Sequence, residues 1–270
     1  MGDEQVIVVV PVYHFPLSCE EEISVTHLLH FLGEYNLSLV APRSLEIADA
    51  RLCKFPVTRF DDEYFTGIPG YNRLMLSKGF YHRFRQYEYI LIYQLDCLVF
   101  SPDLTSWCDK GWDYVGAPWF KEFSNDPTEG FWAVGNGGLS LRRVKSCLAV
   151  FQSKATAYDP YVRATRTRLL PRDGFLREWM IRSRAMIHQW GLANNVNWYL
   201  RRYSGHEDHF WGLEASRFAA GFTVPSPQEA LPFSFECAPR YCLDRNAGRL
   251  PFGCHAWHKI DREFWEQFTL

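Results

Sequence analysis

Tyr89-Ile90-Leu91-Ile92-Tyr93-Gln94-Leu95-Asp96-Cys97-Leu98-Val99-Phe100 is an aromatic and β-branched run interrupted only around Gln94 and Asp96. Such a run is too short for a buried helix and too continuous for a strand with one wet face, so it reads as a strand covered on both sides, as in a parallel sheet. Val6-Ile7-Val8-Val9-Val10-Pro11-Val12-Tyr13 reads the same way. Between the two, Glu20, Glu21 and Glu22 precede the apolar spacing of Ile23, Leu28, Leu29 and Phe31, which predicts a helix closed by Gly33. Leu37–Val40 predicts a second strand stopped by Ala41-Pro42-Arg43, and Val57–Phe60 a third. The Gly67-Ile68-Pro69-Gly70 turn then leads into a helix from Tyr71 to about Phe84. Strand and helix alternating in this order predict a doubly wound α/β half, which binds ligands at the carboxyl ends of its strands, where strand order reverses.

The remaining composition narrows the class. Of 270 residues, 47% are hydrophobic and 22% charged, which excludes a disordered, collagen-like or coiled-coil chain. The net charge of −2 gives no overall case for nucleic-acid binding, so none is expected. Eight cysteines without a C-x-x-C pair argue against a zinc ribbon or a thioredoxin-type site and predict buried free thiols in a reducing cytoplasm. Gln5–Tyr13 follows Asp3 and Glu4 in place of basic residues, so no secretory leader is expected, and no apolar run has the length of a membrane span.

Further along, Trp112–Ala117 and Gly138–Leu141 predict short strands flanking a polar loop with Asn125, Asp126 and Pro127. From Arg163 to Arg184 seven arginines (163, 166, 168, 172, 177, 182 and 184) face only Asp173 and Glu178. That local excess suits either a solvated helix face or a contact with an anionic acceptor or the inner face of a membrane. After Gly205 the chain is rich in proline and aromatics, and Arg262–Phe268 predicts a last amphipathic helix.

Four places hold residues suited to chemistry. Asp96 is a carboxylate in so apolar a setting that it must cap a turn or hold a hard cation such as Mg²⁺ or Mn²⁺. Gly135-Asn136-Gly137-Gly138 is either a plain turn or a place where a ligand approaches the backbone closely, with Asn136 offering both donor and acceptor. It has neither dinucleotide nor P-loop spacing. His206-Glu207-Asp208-His209 sets two carboxylates where a helix cap or a general base would stand, and its histidines are too close together for the zinc motif H-E-x-x-H. Finally, His255, His258 and Lys259 could complete a metal site and contact a diphosphate.

Taken in order, these blocks resemble the glycosyltransferases of the A fold. Tyr71-Asn72-Arg73-Leu74-Met75-Leu76 is similar to their Arg-bearing helix, and Tyr89–Asp96 to the strand ending in Asp-x-Asp. Gly135–Leu141 is similar to their Asn-x-Gly segment, Glu207-Asp208 to the acidic pair of inverting members, and His255 or His258 to the C-terminal metal histidine. The chain most resembles a largely uncharacterised family of sugar transferases with Tyr-Asn-Arg-Leu, Gln-Leu-Asp and Gly-Asn-Gly-Gly blocks.

The resemblance implies a single domain over residues 1–270 with a mostly parallel central sheet flanked by helices. Its nucleotide-sugar half would be 1–100 and its acceptor-binding and catalytic half 101–270. It implies an enzyme that passes a sugar from a nucleoside-diphosphate donor to a hydroxyl of a glycan or lipid-linked glycan, inverting and assisted by Mn²⁺ or Mg²⁺. Pro11, Val12, Tyr13 and Arg43 would frame the nucleotide; Arg73, Gln94, Asn136, Gly137, Gly138 and Lys259 would complete the donor site. Asp96 with His255 or His258 would hold the metal, and Asp208 or Glu207 would act as base. The first Asp of Asp-x-Asp is Gln94 here, leaving Asp96 as the motif's one carboxylate. Two other classes remain open: a relative that binds carbohydrate or nucleotide without turnover, which Gln94 favours, and a sugar-nucleotide nucleotidyltransferase. Against the latter, Val12-Tyr13-His14-Phe15 stands where a glycine-rich basic loop would follow the first strand.

Overall fold

Val6–Pro11 (β1) is buried at every position because its alternating side chains feed two different cores. Val6, Val8 and Val10 face one, Ile7 and Val9 the other. The structure, a computed structural model, describes residues 5–121, 127–165, 174–191 and 194–270. Asn125 and Asp126 of the expected polar loop, and Arg166, Arg168, Arg172 and Asp173 of the arginine-rich stretch, lie outside the described residues. The further strands are β2 (Asn36–Pro42), β3 (Val57–Phe60), β4 (Tyr89–Tyr93), β5 (Leu98–Val99), β6 (Tyr114–Val115), β7 (Ala117–Phe120), β8 (Phe131–Gly135), β9 (Leu139–Arg143), β10 (Ser234–Phe235) and β11 (Gly253–Cys254).

The main sheet runs β3-β2-β1-β4-β9-β6. Its first four strands are parallel, and β9 is antiparallel to both β4 and β6. The sheet is therefore mixed, which corrects the expectation of a mostly parallel one. The cause is where β9 begins: Asn136–Gly138 turns at the carboxyl end of β4, where the Gly138 carbonyl accepts from the Gln94 N–H at 2.9 Å, so β9 can only run back along β4. Two further small sheets are β10-β11-β5 and β7-β8.

Helices cover both faces. On one side lies α1 (Cys19–Leu32), fixed by a capping box in which the Ser18 hydroxyl accepts from the Glu21 N–H at 3.2 Å and the Glu21 carboxylate accepts from the Ser18 N–H at 2.7 Å. Its Val25, Leu28 and Leu32 join the core of Val8 and Leu91. On the other side the expected helix from Tyr71 to Phe84 is two, α2 (Gly67–Met75) and a short helix Lys78–Arg83. They part at Ser77, whose hydroxyl accepts from the Phe80 N–H at 3.1 Å and caps the second. The last helix is Arg262–Glu266, two residues shorter than expected.

All eight cysteines are free; Cys19 and Cys53 are exposed and Cys237 half-buried, so burial accounts for only the other five. No helix among the described residues is long and apolar enough to cross a membrane.

Candidate functional site

The carboxyl ends of β1 and β4 open into a cavity of about 530 Å³. Beyond Tyr93 the chain leaves the sheet in a turn closed by the Cys97 N–H on the Gln94 carbonyl at 3.0 Å, which puts Asp96 in the cavity wall. The antiparallel pairing of Cys254 with Leu98 carries His255 to Asp96, and the parallel pairing of Phe235 with Cys254 carries Glu236 to His255. These registers build a chain of charges. Lys259 Nζ donates to Asp96 Oδ2 at 2.6 Å, His255 Nε2 stands 3.3 Å from Asp96 Oδ1, and His255 Nδ1–H donates to Glu236 Oε1 at 2.8 Å.

The electrostatics follow from that geometry. Burial opposes ionisation of both Asp96 and His255. Even so, His255 and Lys259 hold the Asp96 carboxyl well below the usual carboxylate range. Asp96 and Glu236 raise the His255 imidazole to about 10, so it is a cation at neutral pH.

The opposite wall is Glu207-Asp208, at the start of a short helical segment. The two carboxylates have different situations. Glu207 is fully buried, and both its oxygens accept from the Arg142 guanidinium, at 2.7 and 2.8 Å. Arg142 is equally buried and also donates to Ser140 and Tyr81. Burial works against its charge, but Glu207 more than compensates and keeps it a cation. Asp208, one residue on, faces the cavity and accepts from the His209 N–H at 2.9 Å. Burial, helped by the nearby Glu236 charge, raises its carboxyl above the ordinary value. Burial raises the Glu207 carboxyl too, to about 7, so the partner is what separates them: Asp208 carries no arginine and can take a proton, whereas Glu207 is locked in a bidentate pair and is poorly placed to.

Gly137 and Gly138 touch the two walls. A Cβ on Gly138 would fall 2.1 Å from the His255 ring, and one on Gly137 would fall 3.0 Å from Glu207 and 3.9 Å from Asp208. Only glycine permits this approach at position 138. Asn136 lies beneath them, fully buried; its Oδ1 accepts from the Gly138 and Leu139 N–H groups at 2.7 and 3.0 Å, and its Nδ2 is buried without a partner.

The other expected residues fall around this centre unevenly. Tyr13, Gln94 and Lys259 line the cavity; Pro11 and Val12 line a small recess beside it, shared with Gln94 and Asp96. Arg43 is outside the cavity lining, with its exposed guanidinium on Asp61 at 2.7 Å. Arg73 lines a neighbouring groove and donates to the Glu63 carbonyl at 3.2 Å. His258 stands edge-on to Trp257, outside the cavity lining. The sequence reading missed Glu236 and Arg142. Arg142 left a signal, in the alternation Leu139-Ser140-Leu141-Arg142, which turns Ser140 and Arg142 away from the leucines; Glu236 left none.

Among the described residues no group of three or more His, Cys, Asp and Glu side chains could hold a metal ion. The chain does offer two donors, Asp96 and His255 Nε2, and Asp96 Oδ1 is buried with no hydrogen bond. Asp96 would hold a divalent cation as it stands, and His255 Nε2 would join it only on giving up the proton that Asp96 and Glu236 hold on the imidazole.

No curated protein matches the chain in sequence. Among solved structures it is similar to the galactosyltransferase LgtC in complex with donor and acceptor sugar analogs, at 14% identity over 97% of this chain and 93% of that one, with a TM-score of 0.49. It is also similar to a glycosyltransferase involved in glycosylation of the major capsid of PBCV-1, at 11% identity, 97% and 98% coverage and a TM-score of 0.45. Mouse xyloside xylosyltransferase 1 in its apo form matches at 12% identity, 93% and 97% coverage and a TM-score of 0.44. In sequence, residues 54–255, which carry Asp96, Gly137-Gly138, Glu207-Asp208 and His255, match the model of the family described as protein of unknown function (DUF5672), and the chain belongs to that family.

Proposed function

We propose that the chain is a transferase that moves a sugar from a nucleoside-diphosphate donor to a hydroxyl of a glycan or glycolipid acceptor, inverting the anomeric centre. The observation that carries this reading is the division of charge in one cavity: His255 and Lys259 on one wall, Asp208 on the other, with consecutive glycines packed between them. Asp208 accepts the proton of the acceptor hydroxyl as the new C–O bond forms at the anomeric carbon. The bond from that carbon to the diphosphate breaks, and its electron pair leaves on the diphosphate oxygen that faces Lys259 and His255. Fixed cations at the point where negative charge develops are the main electrostatic contribution such a site can make. Were a Mn²⁺ or Mg²⁺ ion bound, Asp96 and a deprotonated His255 would hold it, and its Lewis acidity would take the place of the imidazolium charge at the same leaving group.

Thermal-shift measurements with nucleoside diphosphates and their sugars, with and without Mn²⁺, test the donor site, because a ligand of the native state raises the midpoint by mass action. One base should give a shift. Asp208→Asn should keep that shift and lose about 10²–10⁴-fold in transfer. A shift with no nucleotide would overturn the donor site, and full transfer by Asp208→Asn, or a product with retained configuration, would overturn the base assignment. The rival, a nucleotide-binding relative without turnover, has Gln94 in its favour; slow hydrolysis of the bound sugar nucleotide separates the two.

Contact with an anionic membrane surface belongs to the same reading. The helix Phe175–Gln189 and the following Trp190 expose Phe175, Leu176, Trp179, Met186, Ile187 and Trp190, which fall on one side at helical spacing, with Arg182 exposed beside them. Each such side chain gains about 1.5–3 kcal/mol on full burial, and tryptophans with arginine suit a membrane interface. Co-sedimentation with anionic vesicles at low salt should be lost in Trp179→Glu/Trp190→Glu; its absence in the unaltered protein would remove this part of the reading.

A further inference from the structure

A second concavity, of about 1050 Å³, adjoins the central cavity and shares Tyr64, Ile68, Asn72 and His206 with it. One wall comes from α2 and the start of the helix Lys78–Arg83, the other from residues 195–206. Arg73, Lys78 and Arg201 line it, all exposed, and among the described residues no carboxylate does. Among the described residues neither Lys78 nor Arg201 makes an ion pair, and the contact of Arg73 is with a backbone carbonyl. Two more guanidiniums, those of Arg163 and Arg202, stand 4.5 and 4.4 Å from the ring of Trp198, which also lines the groove. In a chain of net charge −2, this is a concentrated and unanswered positive potential. Among an otherwise mixed lining stand groups that bind hydroxylated rings: Tyr64 and Tyr203 give flat faces, and Asn72, Asn195 and Asn197 give amide donors and acceptors.

We infer that this groove is an acceptor subsite that takes an anionic saccharide, one bearing a phosphate or a carboxylate, and leads its reacting hydroxyl past His206 to Asp208. The inference rests on the transferase reading. The cations recognise the acceptor's negative group, and the aromatic and amide side chains recognise its sugar.

The test measures binding of glucose, glucose 1-phosphate, glucuronate and inorganic phosphate by titration calorimetry at low salt, to the full chain and to Lys78→Glu/Arg201→Glu. Both substituted residues are exposed, so the double variant should melt with the unaltered protein. At least one charged sugar is expected to bind about tenfold more tightly than glucose, with that preference lost in the double variant. The phosphate and carboxylate arms tell the two anions apart. Equal binding of glucose, or a preference that survives the charge reversal, overturns the inference. So does inorganic phosphate that binds as tightly as the charged sugars, since the groove would then hold an anion and not a saccharide. The nucleotide shift measured on the same samples separates the failures. A shift without saccharide preference removes the groove alone, whereas no shift removes the transferase reading and leaves the charge-reversal comparison to decide what the groove binds.

Discussion

The central cavity and the groove beside it share four residues and treat charge in opposite ways. In the cavity each cation has a carboxylate on it: Lys259 and His255 on Asp96, His255 again on Glu236, and Arg142 on Glu207. In the groove, among the described residues, Arg73, Lys78 and Arg201 have none. Charges that answer one another inside the fold set positions, so that donors and dipoles are already in place when negative charge develops. Charges left unanswered at the surface leave their attraction for a ligand. Under the proposed transferase reading, the difference separates the part that would do the chemistry from the part that would recognise the acceptor.

The deepest of the paired charges should break most when disturbed. Glu207→Gln leaves the Arg142 guanidinium buried beside a neutral amide. Removing one partner of a buried ion pair typically costs about 3–5 kcal/mol, several times what an exposed pair contributes. Denaturant unfolding should register a loss of that size, with Arg142→Met/Glu207→Leu recovering much of it because neither charge is then stranded. A loss under about 1 kcal/mol would mean that water reaches the pair. The contrast between a closed cavity wall and an open groove would then fail at its strongest point.

How much of this was legible depends on whether the signal is local. Continuous apolar runs announced β1 and β4, and a carboxylate closing such a run announced Asp96, because burial of a charge is costly enough to demand a partner. Two adjacent glycines marked the approach at Gly138, and adjacent acids marked Asp208. The direction of β9 was not legible, since side-chain alternation is the same whichever way a strand runs. Glu236 was not legible either: it is one acid in a proline- and aromatic-rich tract, and only the pairing of β10 with β11 brings it to His255. Arg43 shows the converse. The resemblance gave it a nucleotide to frame, and the fold gave it Asp61 instead.

The smallest expected effect concerns the pH range over which the cavity's own charges stabilise the fold. His255 is raised from about 6.5 to about 10, so its contribution is fully present below 6.5 and is lost as the pH rises through about 10. Asp96 is lowered, so its contribution is fully present above about 3.8 and is lost as the pH falls through its depressed value. Both describe one Asp96–His255 interaction, which is counted once and is complete between about pH 3.8 and 6.5. The difference in Tm between the unaltered protein and His255→Gln should be largest in that window, shrink steadily above neutrality and vanish beyond about pH 10. Lys78→Glu in the groove has no buried partner to lose, so its Tm should track the unaltered protein over the same range. A His255→Gln difference that stays flat from pH 5 to 10 would mean that this imidazole is not held as a cation by Asp96 and Glu236. The positive wall of the cavity would then rest on Lys259 alone.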